Sequence, residues 1–383
     1  PHGSVREAVM GMEDRHASRE EIGRMRALVR QGMEEGAWGL SAGPFYAPGS
    51  YAANEEFIET AKVAAEFGGA FQSHIRDESD YNIGVLASVD EVIAVAREAR
   101  LPSIVTHIKA LGPGVWGLST AMVRRIEQAR AEGFEVWADH YPYEAGATNL
   151  AAALVPRWAQ ADGAAAMRRR FQDPAMRAKV RAEMVENLRR RGGADRIQFR
   201  RFTPDPTIEG LTLAKVAGDR QMDPVDLSIA LLEKGTVSVV SFAMHEDDVR
   251  TFLRQPWVMT GSDGDLVPFG EGVPHPRSYG AFARKIRRYV VEEPILPLED
   301  AVRSMTSLPA RVFRMTGRGE LRAGSFADVI VFDLARVRDM ATYAEPHQLA
   351  QGMVHVFVNG KPAVTDGAFT AERAGRILRR DGR

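Results

Sequence analysis

Four times between residues 20 and 139 the chain repeats one unit, a helical stretch followed by a short β-rich run that ends in polar or ionisable residues. The helical stretches at 20–35, 55–67, 89–99 and 120–132 lead into AWGLS (37–41), AFQSH (70–74), SIVTH (103–107) and EVWAD (135–139). This alternation specifies an α/β fold built on a parallel sheet, because parallel strands need long crossover connections. A doubly wound open sheet would carry a glycine-rich phosphate turn after its first strand, and no G-x-G-x-x-G or G-x-x-x-x-G-K-[ST] run is present. In a barrel the C-terminal strand ends converge on one mouth, so the ionisable residues that close these runs are brought together.

The rhythm breaks between about 146 and 256, where an Arg-rich helical stretch (167–191) and a β-rich run (237–242) read as a helical insertion forming a lid. It returns at WVMTGSD (257–263), followed by a Pro- and Gly-rich loop and a helix over 298–316. Beyond it, 319–333 and 353–369 are short alternating strands with Asn-Gly and Asp-Gly turns, a small β module, and AERAGRILRR is a polar surface helix or tail. The expected division is therefore 1–316, a barrel with its insertion, and 317–383, a β-sandwich part with a tail.

With 50 basic against 51 acidic residues, the chain has no electrostatic footprint for nucleic acid or an anionic membrane, and a small-molecule substrate is expected. The basic clusters at 168–170 and 189–191 read as solvated helix faces. The longest apolar runs, such as 237–240 and 329–332, are strand-sized. Zero cysteines fit a reducing, cytoplasmic setting and require any metal to be held by histidine and carboxylate.

His74, His107 and Asp263 stand at or beside strand ends, a donor set suited to a divalent metal such as zinc. Any one of these histidines alone is more often structural. Lys109 follows His107 by two positions and shares its side of the strand, and Arg277 offers a planar fork for a carboxylate. Structural readings also exist: Lys109 as a solvated rim residue, Tyr141 as an aromatic packed beside Pro142, Arg277 as a partner for a carbonyl. His140 and His245 read as structural or exposed, and Arg76-Asp77-Glu78 as residues that order a loop rather than react.

Six stretches, in order, are similar to the N-acyl-D-amino-acid deacylase (D-aminoacylase) branch of the metal-dependent amidohydrolase superfamily. They are GAWGLSAGPFYAPG (36–49), HIRDES (74–79), THIKALG (106–112), DHYPYEAGAT (139–148), GSDG (261–264) and HPRSYGAFAR (275–284), joined by GELRAGSFADVIVFD (319–333) in the β module. The resemblance covers essentially the whole chain and implies a TIM-like (β/α)8 barrel with a small β-sandwich. It implies that His74 and His107 are metal ligands, that Asp263 is both a ligand and the catalytic aspartate, and that Lys109, Tyr141 and Arg277 grip the substrate. One or two divalent metal ions, zinc first, are the implied cofactor, and an N-acyl-D-amino acid is the implied substrate.

The superfamily's H-x-H pair on the first barrel strand is absent among the nine histidines, as is the further ligand, a Cys in the best-known members. The resemblance therefore implies that roughly the first three β/α units and the N-terminal strands of the sandwich lie outside this chain, supplied by a complementing segment or second chain. A homo-oligomer is left open. Ala147 and Ser241 stand where the branch often has Ser or Thr and Tyr, so no side-chain preference is implied. Two alternatives stand beside this reading. A cyclic-amide hydrolase of the hydantoinase or dihydroorotase kind is disfavoured by the pairing of THIKALG with HPRSYGAF; a noncatalytic binding protein of the same fold is suggested by the missing H-x-H.

Overall fold

Strand β1 (Gly39–Ala42) runs parallel to β2 (Ala70–Ser73), placing Leu40 opposite Phe71, and β3 (Ser103–Val105) and β4 (Val136–His140) add on in the same direction. The computed structural model describes residues 1–380. Helices Asn54–Glu66, Val85–Ala99 and Ser119–Ala131 make the return crossings, and their buried faces (Phe57, Val89, Val92, Ile126) pack on Phe71, Ile104, Val105 and Val136. The two periods meet in one core, every third or fourth residue of a helix facing strands that are buried along their length. These elements fall where the repeat in the sequence predicts them, with shifts of a few residues at their ends.

The insertion is helical with the expected β-rich run at 237–242, which is one strand of a sheet whose other two strands the sequence reading does not identify. It holds an antiparallel sheet of β5 (Gly146–Asn149), β6 (Ile197–Arg201) and β7 (Ser238–Ser241) in the order β5-β7-β6. The helical stretch expected over 167–191 is two helices, Gly163–Gln172 and Pro174–Arg190. Asp173 divides them: its side chain accepts from the Met176 N–H, and Pro174 occupies the first turn, where a missing N–H costs nothing. The insertion has its own core, including Phe171, Met184, Phe199, Leu227 and Val239.

β8 (Val258–Thr260) returns to the parallel sheet beside β4, with His140 opposite Thr260, and completes the order β1-β2-β3-β4-β8. A separate antiparallel sheet follows, β9 (Val329–Phe332), β10 (Met353–Val358), β11 (Lys361–Thr365) and β12 (Ala368–Phe369), in the order β12-β11-β10-β9. Its two turns are the expected Asn-Gly and Asp-Gly pairs. Asn359 and Gly360 have φ of 50° and 81°, Asp366 and Gly367 of 50° and 78°, the left-handed pair that a two-residue hairpin loop requires. Residues 371–380 follow the surface as an irregular tail, with Trp38 Nε1 donating to the Leu378 carbonyl. Among the described residues no helix is long and apolar enough to cross a membrane.

The end of β8 is fixed by a buried amine. Lys285, on helix Arg277–Ile286, donates at 2.7 Å to both Thr260 Oγ1 and Ser304 Oγ, which are 2.9 Å apart. Burial pushes its pKa down from 10.5 to about 7. Between those two values the unfolded chain holds a proton that the folded chain has released, so stability rises with pH across this window. Urea unfolding midpoints measured from pH 7 to 10 should climb, and Lys285→Met should flatten that climb; equal slopes in the two proteins would show that this amine does not titrate in the window.

Candidate active site

Backbone bonds carry the strand ends into the cavity. His74 N–H donates to the Ala42 carbonyl, Thr106 N–H to Ser73 and Ile108 N–H to Asp139, so the residues following β2 and β3 are held in step with the neighbouring strands. His107 and Asp263 adopt φ of 38° and 49°, a left-handed backbone that non-glycine residues take up only when their surroundings enforce it. For His107 the enforcing group is the Asp139 carboxylate, which accepts its N–H at 2.7 Å. Asp139 is half-buried, loss of solvent around its carboxylate raises its pKa, and it also accepts from Gln72 Nε2 at 3.4 Å.

Two imidazoles and a carboxylate meet here. His74 Nδ1 lies 2.8 Å from His107 Nε2, and Glu78 Oε1 lies 3.3 Å from His107 Nδ1 and 3.6 Å from His74 Nε2. One donor atom from each of the three falls within 4.8 Å of the others. Lys109 Nζ closes the cluster, 2.6 Å from Glu78 Oε1 and 2.5 Å from His107 Nδ1. Burial alone would raise the Glu78 pKa, but His74, Lys109 and His107 hold it well below the usual carboxylate range. Burial drives His74 the other way, well below the usual histidine range, so its ring is neutral and free to ligate. His74 Nε2 is buried without a hydrogen-bond partner among the described residues, and neutral imidazoles with a carboxylate are the donors that a zinc-like ion takes. The cluster therefore fits a divalent metal.

Facing it, Arg277 donates from Nη2 to Asp263 Oδ2 at 2.9 Å, and its guanidinium lies 4.5 Å from the centroid of the buried Tyr141 ring. Arg277 opens its helix, where its own N–H donates to His275 Nδ1 at 3.0 Å. With that nitrogen accepting, His275 Nε2 carries the proton and donates to the Ala145 carbonyl at 2.9 Å. Burial, reinforced by Arg277, keeps this imidazole neutral. Tyr46 contributes from the β1 side, its ring 4.9 Å from that of His74 and its hydroxyl 3.3 Å from Thr148 Oγ1.

All six residues singled out in the sequence, His74, His107, Lys109, Tyr141, Asp263 and Arg277, line one cavity of about 720 Å³ at the C-terminal ends of the parallel strands. Asp263 stands outside the tight donor trio, half-exposed and paired with Arg277. Three structural readings are corrected. Lys109 is buried rather than at a solvated rim, Arg277 pairs with a carboxylate rather than a carbonyl, and Glu78 belongs to the cluster rather than to the ordering of its loop. The loop is ordered by its neighbour Asp77, whose carboxylate accepts from the N–H groups of Ser79, Asn82 and Gly84. His140 is fully buried against Tyr141, and His245 caps the helix Glu246–Leu253, as expected of structural histidines.

The model of the amidohydrolase family described as Amidohydro_3 matches residues 1–364. The chain is 37% identical to the N-acyl-D-glutamate deacylase of Alcaligenes xylosoxydans xylosoxydans over 380 residues, covering 99% of this chain and 68% of that protein. It superimposes on a D-aminoacylase studied for its binuclear metal centre with a TM-score of 0.81 at 32% identity, covering 99% of this chain and 70% of the other. It is likewise similar to the N-acyl-D-glutamate deacylase from Bordetella Bronchiseptica, solved with zinc and a phosphonate mimic of the tetrahedral intermediate, with a TM-score of 0.80, 34% identity and coverage of 99% and 70%. These likenesses give the chain the TIM-like α/β fold expected of it, and they do not favour the cyclic-amide alternative.

Replacing Glu78 by Gln removes one metal donor and leaves Lys109 buried beside no counter-charge, a change worth roughly 3–5 kcal/mol when a buried pair is broken. The expected outcome is a lower thermal midpoint together with a loss of bound zinc measured by mass spectrometry of the dialysed protein. Retention of both would place Glu78 outside the metal site.

Proposed function

The chain belongs to the amidohydrolase family, and from that premise we propose that it is a metal-dependent hydrolase of N-acyl-D-amino acids, releasing a carboxylic acid and a free D-amino acid. The observation that carries this reading is the meeting, in one cavity, of the His74–Glu78–His107 donor cluster with the Asp263–Arg277 pair. A divalent metal such as zinc, held by His74 and His107 with Glu78 and Asp263 as the carboxylates around it, would supply a water of lowered pKa and polarise the scissile carbonyl.

The protein's own groups do the rest. Asp263 takes the proton of the attacking water and returns it to the departing nitrogen, so that the broken C–N bond leaves as a neutral amine. Arg277 has a fork to share: Nη2 is on Asp263 while Nη1 has no partner among the described residues, which suits a substrate carboxylate docked beside the base. Tyr141 stacks under that guanidinium and fixes its plane. Lys109, an ammonium 5.8 Å from the Tyr141 ring centroid, adds positive charge to the same wall and favours the carboxylate and the developing oxyanion. Burial raises the Tyr141 pKa, keeping its hydroxyl protonated as a donor.

The test is a panel of N-acetyl-D- and N-acetyl-L-amino acids offered to the zinc-loaded protein. Release of amino acid from the D series alone, abolished by chelation, is expected. Asp263→Asn should lower kcat by about 10²–10⁴ with KM little changed, whereas Arg277→Lys should act mainly on KM. A folded, metal-loaded protein that cleaves no N-acyl-D-amino acid would overturn the reading and favour a binding protein of the same fold.

A further inference from the structure

A second cavity, of about 200 Å³, adjoins the first, and Ala47 and Asn149 line both. Much of its wall is apolar. Met12 follows the first helix, Ala151 and Met167 belong to helices Leu150–Leu154 and Gly163–Gln172 of the insertion, Leu232 to helix Pro224–Lys234, and Val237 immediately precedes β7. The Asp162 N–H donates to the Met12 carbonyl at 3.1 Å and closes the seam between these parts. The amides in the wall are already engaged: Gln160 donates to the carbonyls of Ala151 and Val155 at 3.3 and 2.8 Å, and Asn149 Oδ1 accepts from Ser238 Oγ at 3.3 Å. The one charged lining residue, Arg168, is half-buried, and a side chain of this kind lays its stem along apolar surface with its head toward water.

The order of the strand ends decides which part of a substrate can reach this cavity. The Asp263–Arg277 pair follows β8 at one end of the order β1-β2-β3-β4-β8, the His74–Glu78–His107 cluster follows β2 and β3, and Tyr46 follows β1 at the other end. A substrate with its α-carboxylate on Arg277 and its scissile carbonyl at the cluster has its amine half toward β8. The acyl group leaves the carbonyl carbon the other way, toward β1, where the Phe45 and Tyr46 rings lie 5.0 and 4.9 Å from that of His74. Tyr46 and Thr148 each stand one residue before the two that line both cavities, and their hydroxyls are 3.3 Å apart. This one hydrogen bond joins the loop after β1 to β5 at the junction of the two spaces.

We propose that the second cavity is an acyl-chain subsite, taking unbranched apolar acyl groups longer than acetyl, with the Tyr46–Thr148 hydrogen bond as its gate. The inference rests on the deacylase reading and concerns the acyl half of the substrate, away from the carboxylate grip. Each methylene buried is worth roughly a fourfold gain in binding, and giving up one neutral hydrogen bond costs about two- to twelvefold. An acetyl group therefore leaves the gate shut, whereas a hexanoyl chain, with four more methylenes, more than offsets its opening.

The experiment measures kcat/KM of the zinc-loaded full chain for the N-acetyl, N-butyryl and N-hexanoyl derivatives of one D-amino acid, taken from those that the panel above shows to be cleaved. The hexanoyl value should exceed the acetyl value by at least about tenfold. Ala151→Phe, which fills the wall, should abolish that gain and leave the acetyl value unchanged, so turnover of the acetyl compound monitors folding. Ala164→Phe, at an exposed lining position, repeats the test without touching the core of the insertion. Thr148→Val, which keeps the shape and loses the hydroxyl, should raise the hexanoyl-to-acetyl ratio a further two- to tenfold or so; an unchanged ratio would overturn the gate. With zinc removed and turnover stopped, calorimetry should give the same order of Kd for the acetyl and hexanoyl compounds. A flat or falling series in the wild-type protein, or a gain that both Ala151→Phe and Ala164→Phe retain, would overturn the subsite and leave the deacylase reading standing. Failure of the zinc-loaded protein to hydrolyse any N-acyl-D-amino acid would overturn that reading and this one with it.

Discussion

One buried carboxylate, that of Glu78, is surrounded by nitrogen: Lys109 at 2.6 Å, His107 at 3.3 Å and His74 at 3.6 Å. In a low-dielectric pocket this is an all-or-none arrangement, because each charge is tolerable only while the other is present. The rest of the site is organised to keep it. Asp77 gathers the N–H groups of Ser79, Asn82 and Gly84 into a tight turn, so that Glu78 leaves the loop at a fixed angle. The Leu111 N–H then donates to the Glu78 carbonyl, tying the loop after β2 to the loop after β3. The ionic cluster thus joins two successive β/α units where the hydrogen bonds of the sheet have ended.

Strain is concentrated at the same place. His107 and Asp263 are both in left-handed backbone, each costing on the order of 1–3 kcal/mol, and both point functional atoms into the cavity. Such conformations persist because their surroundings over-determine them. His107 follows β3 by two residues and is held by the Asp139 carboxylate from β4; Asp263 follows β8 by three residues and is held by Arg277. At His107 this geometry is held from the neighbouring strand, and at Asp263 from the first residue of the helix Arg277–Ile286.

The parts of this site that are legible in the sequence are those set by period. Parallel strands buried on both faces read as short apolar runs between helical stretches, and their ends name His74, His107 and Asp263 as residues that converge. What the period does not encode is a side chain's direction in a loop. Glu78, four residues past His74, points into the cluster because of the turn built on Asp77, and no spacing rule announces that turn. Arg191 looks solvated in a basic run yet is buried, because its burial depends on Gly112, 79 positions away along the chain, where a Cβ would lie 2.1 Å from the Arg190 carbonyl oxygen, and on the restart of a helix at Pro174. The sheet of the insertion escapes notice for a similar reason. Only β7 is legible, as the β-rich run at 237–242; β5 and β6 are short and pair with it across distant stretches, so each of those two looks locally like part of a loop.

The helix Arg277–Ile286 shows how the remote core reaches the chemistry. Its first residue holds Asp263 and its ninth, Lys285, holds Thr260, so two points on the helix grip two points at the end of β8. The spans agree: eight helical residues rise about 12 Å, and three extended residues cover about 10 Å. A strut of matched length fixes the direction of the Asp263 carboxylate without using any group that a substrate must displace. It also settles how Arg277 can serve two carboxylates. Because the far end of the helix is anchored by Lys285, Thr260 and Ser304 in the core, the fork need not swing to meet a substrate. Nη2 stays on the base while Nη1 is left for the ligand, and the proton acceptor keeps its aim as the substrate arrives.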